Sequence, residues 1–165
     1  MKGLALGALG MVAYIGLCMV PGEALWFDPG QPMFEDTVVG GDPVLKFNRE
    51  IKRETTMRYA VFLRRDQDDD PACDAEGGPF TYLPAKSGVL VDGTLGKWAP
   101  SDPRCRQLPV GSYYGTVTWT ITNPYRDLLP KALQPWLGGL MSLLPPKEIQ
   151  RTIPTFTITA SEASE

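Results

Sequence analysis

Histidine is absent from this chain of 165 residues. Its absence excludes Ser-His-Asp and Cys-His nucleophile systems and removes the commonest protein ligand of zinc and haem. Glycine-rich phosphate loops, nucleophile elbows and zinc-type cysteine spacings are missing as well. We therefore expect a protein that is not an enzyme and has no cofactor or metal. A carboxylate-dependent hydrolase of wall polymers remains an alternative, because paired carboxylates cannot be recognised from sequence spacing.

Positive charge is also scarce, with 16 Lys and Arg against 19 Asp and Glu and a net charge of −3. No basic tail is available to follow a phosphate backbone, so we expect no nucleic-acid partner. The predicted second and third strands nevertheless carry a group of basic residues. It could face anionic lipid headgroups or a partner, or form a solvent face balanced by nearby acids; its members are Lys46, Arg49, Lys52, Arg53, Arg58, Arg64 and Arg65.

Charge is lacking altogether between Lys2 and Glu23. The apolar run over residues 3–20 is about 18 residues long, close to the roughly 20 that cross a bilayer as a helix. Trp26 and Phe27 follow it, and such rings favour the headgroup level of a membrane. The pattern predicts a transmembrane anchor over residues 1–27. Because Lys2 is the basic side chain before the span, the N-terminus should be cytoplasmic and the remaining domain periplasmic or extracellular.

Small residues in and after this segment suggest two further properties, cleavage by a signal peptidase and association between helices. Gly22 and Ala24 place small residues where a signal peptidase reads the chain, so a secreted protein whose leader is cleaved after Ala24 is the alternative to an anchor. The spacing of Gly3, Gly7 and Gly10 would let two such helices pack closely, which predicts a homo-oligomer formed through the anchor.

Cysteine is rare, with three in the chain, and only Cys73 and Cys105 lie beyond the apolar run. An even pair in an oxidising compartment predicts a disulfide. The loop it closes has about 33 residues, for which chain entropy gives a stabilisation of about 3 to 4 kcal/mol. The alternative is two free thiols in a reducing compartment.

The rest of the chain is rich in turn formers, with 16 Pro and 17 Gly between short apolar-polar alternations. Residues 28–33 predict a short stalk, residues 34–160 a domain of short strands, and the acidic residues 161–165 a disordered tail. Alternation with a period of two predicts strands rather than helices. The predicted strands are residues 34–39, 44–53, 56–65, 80–83, 88–91, 97–98, 113–122 and 152–159.

About seven strands with a strong penultimate one resemble the immunoglobulin-like β-sandwich. Residues 108–113, LPVGSY, look like the corner before that strand, with Tyr113 as the tyrosine-corner hydroxyl. A short anchor followed by one such domain is similar to small single-pass membrane proteins encoded by bacteriophages and bacteria. The resemblance implies an all-β immunoglobulin-like sandwich behind one transmembrane helix, with a short helical insertion between the last two strands. It implies no function, because architecture does not carry function.

An acidic run could bind calcium, because carboxylates at alternate positions begin an EF-hand loop. Pro71 stands where that loop needs its glycine, and Gly77 stands where it needs its last glutamate. The simpler interpretation is a solvated acidic loop that protects a sheet edge. The acids of the run are Asp66, Asp68, Asp69, Asp70, Asp74 and Glu76.

Residues 124–146 join the last two predicted strands through about 23 residues, far more than a hairpin needs. The segment predicts two short helices separated at Pro135. It could lie on the bilayer, pack against the spanning helix, bind a membrane partner, or fold back over the core. Its predicted contact residues are Leu128, Leu129, Leu133, Trp136, Leu137, Leu140, Met141 and Leu144.

These features predict a membrane-anchored, extracytoplasmic binding or assembly module, belonging to an envelope complex or to a virion or lysis component of a phage. Its expected partners are the lipid bilayer and other membrane, envelope or virion proteins. The alternative is a secreted β-sandwich binding domain released by cleavage after Ala24.

Overall fold

The computed structural model describes residues 2–161, and it describes side chains from residue 10 onward except that of Asp127. This part of the chain is mostly β. Its ten strands, β1 to β10, are Phe27–Asp28, Met33–Phe34, Thr37–Val38, Val44–Phe47, Glu50–Ile51, Thr55–Arg65, Pro71–Tyr82, Val91–Thr94, Gly111–Ile121 and Lys147–Thr159. Its four α-helices, α1 to α4, are Lys2–Met19, Gly22–Leu25, Leu95–Trp98 and Gln134–Met141. Three 3-10 turns are Pro84–Lys86, Pro103–Arg106 and Arg126–Leu128.

The largest sheet has five strands in the order β3-β10-β9-β6-β7. All neighbours are antiparallel except β3, which runs parallel to β10. Strand β9 alternates as its sequence predicts: the side of Tyr113, Val117 and Trp119 is fully buried, whereas the threonine side is only half-buried. A slip of one residue would expose that apolar row, so the burial fixes the register of the sheet.

A three-stranded sheet, β2-β4-β8, and the pair β1-β5 cover the apolar face of the large sheet, which makes the fold a half-barrel. Aromatic rings join the two layers. The ring centroids of Phe47 and Trp119 lie 5.6 Å apart, those of Phe27 and Trp119 5.8 Å, and those of Phe34 and Phe156 4.9 Å. The core of the domain therefore lies between the sheets and is centred on Trp119.

The predicted fold, an immunoglobulin-like sandwich behind one transmembrane helix, is wrong and is replaced by this mostly β half-barrel. Over residues 2–161, no helix combines the length and the apolar character needed to cross a bilayer. The single-pass localisation with a cytoplasmic N-terminus is wrong for the same reason. Trp26 and Phe27, predicted at the headgroup level, are instead completely buried in the domain core.

The C-terminal end of α1 is bound to the domain. The Tyr125 hydroxyl donates a hydrogen bond to the Leu17 carbonyl at 2.8 Å, and the Lys147 ammonium donates one to the Cys18 carbonyl at 2.5 Å. Both carbonyls belong to the last turn of α1, where the helix itself leaves carbonyls without partners. The side chain of Leu17 also packs against the domain core. These contacts join the helix to the domain rather than leave it separated by a stalk.

Several predicted strand boundaries differ from the structure. Residues 44–53 form two strands, β4 and β5, instead of one, and residues 97–98 belong to α3. Of strand β7, with twelve residues, only the end falls in a predicted strand, residues 80–83, because Pro71, Pro79 and two glycines interrupt the pattern before it. Strand β7 is the edge strand of the large sheet, the place where a strand tolerates proline. The predicted tail falls, beyond Ser161, outside the described residues.

The predicted disulfide is confirmed. Cys73 of β7 is bonded to Cys105 in the 3-10 turn Pro103–Arg106, and both cysteines are fully buried. The bond therefore ties the edge strand to the segment that follows α3. The Tyr113 hydroxyl donates a hydrogen bond to the Pro109 carbonyl at 2.7 Å, which closes the turn that leads into β9.

Candidate functional site

A cavity of about 320 Å³ opens between the edge of the large sheet and α3. We call it the aromatic pocket, because four rings line it: Tyr59 from β6, Phe80 and Tyr82 from β7, and Trp98 from α3. Tyr59 and Tyr82 are buried, Trp98 is half-buried, and Phe80 is 49% exposed at the rim. Its size lies at the lower end of the range for small-molecule sites, which are concave and largely apolar.

Tyr59 is the centre of this aromatic arrangement. Its hydroxyl donates a hydrogen bond of 2.6 Å to the Trp98 carbonyl, and its ring lies 4.8 Å from the ring of Trp98 and 5.9 Å from that of Phe80. Opposite Tyr59 in the sheet stands Gly77, where a β-carbon would collide with the tyrosine ring. The glycine thus leaves room for Tyr59 to reach across β7 toward α3, and so it shapes one wall of the pocket.

Charged side chains surround the rings. Arg49, Lys86 and Lys97 line the aromatic pocket together with one carboxylate, that of Asp92. The guanidinium carbon of Arg49 lies 5.6 Å from the centroid of the Tyr82 ring, a cation–π distance. Its Nε atom is buried and has no hydrogen-bond partner within the described protein. Among residues 2–161, neither Arg49 nor the two lysines form an ion pair.

The two tyrosine hydroxyls of the pocket stay protonated. Burial raises the pKa of Tyr82 to about 12, although the nearby Arg49 acts in the opposite direction. Burial also raises the pKa of Tyr59. Both groups are therefore neutral at physiological pH. The pocket offers aromatic faces, neutral hydroxyls and cationic donors, which suits the binding of a ligand rather than proton transfer.

The sequence does not reveal the pocket, because residues 66–107, which supply most of its lining, predict loops and short strands whose pairing is not evident. The basic residues predicted on neighbouring strands do not form one common surface in the structure. Lys46 pairs with Glu35 and Lys52 with Glu50, whereas Arg49 turns into the aromatic pocket. A usable signal was the presence of three aromatic and two basic residues within residues 80–98, namely Phe80, Tyr82, Lys86, Lys97 and Trp98. That composition is typical of a binding surface, but it does not reveal that the residues meet.

The apolar segment over residues 124–146 contains one 3-10 turn and helix α4, and the helix break predicted at Pro135 is absent. Pro135 instead lies in the first turn of α4, where its missing N–H costs nothing. Leu128, Met141 and Leu144 pack against the domain core. Part of the segment therefore covers the core, which was one of the alternatives, and the 3-10 turn ends before Pro130 rather than at Pro135.

Helix α4 also faces α1 across an apolar groove. Gly10, Tyr14 and Leu17 of α1 line one side, and Leu140 and Leu144 line the other. The outer side of the segment is exposed: Leu133 is 45%, Trp136 84%, Leu137 39% and Leu140 62% accessible. Leu129 is half-buried. Contact of this surface with a partner or a membrane stays a prediction.

Of the glycines predicted to pack two helices together, only Gly10 has described surroundings. It is exposed and lines the groove toward α4. The surroundings of Gly3 and Gly7 lie outside the described residues, so association through α1 stays a prediction.

The acidic run lies in the exposed connection between β6 and β7 and along β7. Asp68 and Asp69 form ion pairs with Arg65 and Arg64. Elsewhere in the described chain, Asp102 lies close to Cys73 and Cys105, a grouping that could suggest a metal site. The two sulfur atoms are joined in the disulfide, which leaves the cluster without thiolate ligands.

Asp102 joins the disulfide region to the sheet. Its carboxylate accepts hydrogen bonds from the Asp74 backbone N–H at 3.0 Å and from the Arg104 backbone N–H at 3.0 Å, and it pairs with the Arg104 guanidinium at 2.8 Å. The hydrogen bond from the Arg104 side chain is the main reason that the pKa of Asp102 is lowered to about 2. The carboxylate thus fixes the segment that follows α3. Helix α3 itself carries Trp98, which lines the pocket.

Replacing Asp102 by asparagine should destabilise the fold at neutral pH and alter its acid sensitivity. The pKa of Asp102 is lower in the folded than in the unfolded chain, so its ionised form contributes stability above about pH 4, and this contribution is lost as the pH falls through about 2. Urea unfolding of the native chain and of D102N at pH 6, 4, 3 and 2 measures the effect. The difference between the two should shrink toward pH 2; a constant difference would contradict the assignment. Asp92→Asn, an exposed aspartate outside this cluster, is the control.

Comparison of the chain with protein-family models, with curated proteins and with solved structures gave no match.

Proposed function

We propose that this protein is a secreted, non-enzymatic binding module whose leader is removed after Ala24 and whose ligand occupies the aromatic pocket. The observation that carries the proposal is the pocket itself, where four rings meet the half-buried side chain of Arg49, whose Nε atom lacks a hydrogen-bond partner in the described protein. The membrane-anchored assembly module that the sequence first suggested depended on a spanning helix, and it is not retained.

The disulfide supports export from the cytoplasm. Bonds such as Cys73–Cys105 form and persist in oxidising compartments and are rare in the cytosol. The remaining cysteine, Cys18, is free and lies in α1. Removal of the leader would therefore leave a mature chain in which every cysteine is paired.

The domain has its own contacts directly after the proposed cleavage site. The indole N–H of Trp26 donates a hydrogen bond to the Pro124 carbonyl at 3.0 Å, and Phe27 pairs with Ile51 in the β1-β5 ladder. Cleavage would remove the Glu23 partner of Arg151, but Arg151 would keep its ion pair with Asp28 at 3.2 Å. The core contacts of Trp26 and Phe27 therefore lie after the cleavage site, whereas cleavage would remove the packing of Leu17 and the carbonyl acceptors of Tyr125 and Lys147.

Expression of the chain with its own N-terminus in a secreting bacterium, followed by intact-mass measurement, tests the proposal. We expect exported material that begins at Leu25 and has lost two hydrogen masses through the disulfide. The variant Ala24→Leu places a bulky residue at the cleavage position and should retain its leader. Ala132→Leu, at another exposed alanine, should be processed like the native chain. Exported protein that still begins at Met1 would refute the cleavage, and a chain held in the cytoplasm with reduced thiols would refute secretion.

A further inference from the structure

We infer that the aromatic pocket binds a small ring-bearing carboxylate, whose ring packs on Phe80 and Trp98 and whose carboxylate accepts hydrogen bonds from Arg49. The inference rests on the proposed binding function and deepens it, because it names the class of ligand.

The size of the cavity fits one ring with a substituent. An apolar cavity of about 150 Å³ is enough for a benzene ring. The aromatic pocket holds about 320 Å³, so a ring leaves space for an attached carboxylate or hydroxyl groups. A folded peptide or a second protein would not fit inside a cavity of this size.

The exposed faces of Phe80 and Trp98 are the reason that we expect the ligand to contain a ring. Phe80 keeps 49% of its surface exposed although it stacks, with an interplanar angle of 12°, on the buried Tyr59. Trp98, which also lines the pocket and also neighbours Tyr59, is half-buried. Planar groups pack on such faces in offset or edge-on arrangements, which remove apolar surface from water. A ligand ring between these two residues would cover surface that the domain itself leaves open.

The side chain of Arg49 is the reason that we expect the ligand to carry a carboxylate. The Nε–H of Arg49 is buried without an acceptor, which carries a desolvation cost, while the half-buried side chain as a whole lines the pocket and offers its guanidinium to a ligand oxygen. The planar guanidinium matches a planar carboxylate, with which it forms two parallel hydrogen bonds. Lys86 and Lys97 add positive charge at the rim, and Asp92 lies opposite Lys46 in the β4-β8 ladder. The pocket is thus locally cationic in a chain whose net charge is −3.

The test uses matched pairs of ligands with the full chain, labelled with nitrogen-15 for NMR titration. Benzoate is compared with benzamide, which has the same shape without the charge, and glucuronate with glucose. We expect at least one acid to cause saturable shifts of the Arg49 Nε–H and Trp98 indole signals, with an affinity at least tenfold above that of its neutral partner. Which acid binds tells whether the natural ring is aromatic or a sugar.

Three variants define the contacts. Arg49→Met should abolish the preference for the acid, and Arg49→Lys, which keeps the charge but loses the planar fork, should retain part of it. Phe80→Ala should weaken binding by roughly tenfold, the scale of about 1.4 kcal/mol for one lost ring contact. Arg58→Met is the matched control, because Arg58 is an exposed arginine on β6 in no ion pair among the described residues. If R49M does not fold, R49K and F80A decide the question.

Equal binding of an acid and its neutral partner would overturn the carboxylate but leave the binding module intact. An absence of saturable shifts at Arg49 and Trp98 with all four compounds up to about 10 mM would overturn the inference as a whole. Failure of the proposed secretion would appear separately, in the intact mass of the exported chain, because that measurement does not involve a ligand.

Discussion

Replacing both Cys73 and Cys105 by serine is expected to lower the free energy of unfolding by about 3 to 4 kcal/mol. The bond joins residues 32 positions apart, and cross-linking a loop of this length removes much of the conformational entropy of the unfolded chain. Because small domains are stable by only about 5 to 15 kcal/mol, the loss is a large share of the total. Urea unfolding of the oxidised chain and of the double variant measures it.

The control for this prediction, measured like the double variant in the chain that keeps its leader, is Cys18→Ser, which removes the free thiol and should leave the unfolding midpoint unchanged. Reduction of the native chain by dithiothreitol should reproduce the loss seen in the double variant. The bond also ties β7 to the segment after α3, so its loss should loosen the Trp98 wall and reduce ligand binding at the aromatic pocket. Equal stability of the oxidised, reduced and double-serine forms would contradict the prediction.

Replacing Trp119 by alanine should cost about 3 to 5 kcal/mol, the range for deleting a large buried aromatic side chain. The Trp119 ring is fully buried and contacts Phe27 and Phe47, which belong to different strands of the covering layer. Its deletion would leave a cavity at the point where the two layers meet. Thermal or urea unfolding gives the magnitude.

Trp119→Phe separates the two parts of this effect. Phenylalanine keeps an aromatic ring between the layers and also removes the Trp119 indole N–H, which is buried without a hydrogen-bond partner in the described protein. The removal of that unsatisfied donor offsets part of the lost volume, so W119F should be clearly less destabilised than W119A. Equal losses in both variants would show that the ring contacts with Phe27 and Phe47 contribute little.

The strands with strict alternation were predicted well. Residues 56–65 correspond to β6, Thr55–Arg65, and residues 113–122 correspond closely to β9, Gly111–Ile121. These strands lie in the middle of the sheet with one apolar face against the core, so burial and local pattern agree. Most of edge strand β7 was not predicted, apart from its end at residues 80–82, because an edge need not bury an uninterrupted apolar row and tolerates proline and glycine.

The aromatic pocket shows why the candidate site escaped prediction. Arg49, Tyr59, Phe80 and Trp98 come from four separate segments of the chain, and none belongs to a recognised motif. They meet because β6 pairs with β7 in a register that sets Tyr59 opposite Gly77, and because the Tyr59 hydroxyl holds the Trp98 backbone. Such long-range pairings leave no periodic signal in the sequence.

The β-rich character, the burial face of β9 and the pairing of Cys73 with Cys105 could be predicted from the amino-acid sequence, because each depends on local alternation or on a small number of residues of one kind. The other features depend on contacts between distant segments. A long apolar run is compatible with a membrane or with packing on a domain, and in the chain that carries α1 the hydrogen bonds from Tyr125 and Lys147 join the end of that helix to the domain. The same holds for the aromatic pocket, since only the packing of the sheets brings its rings and its arginine together.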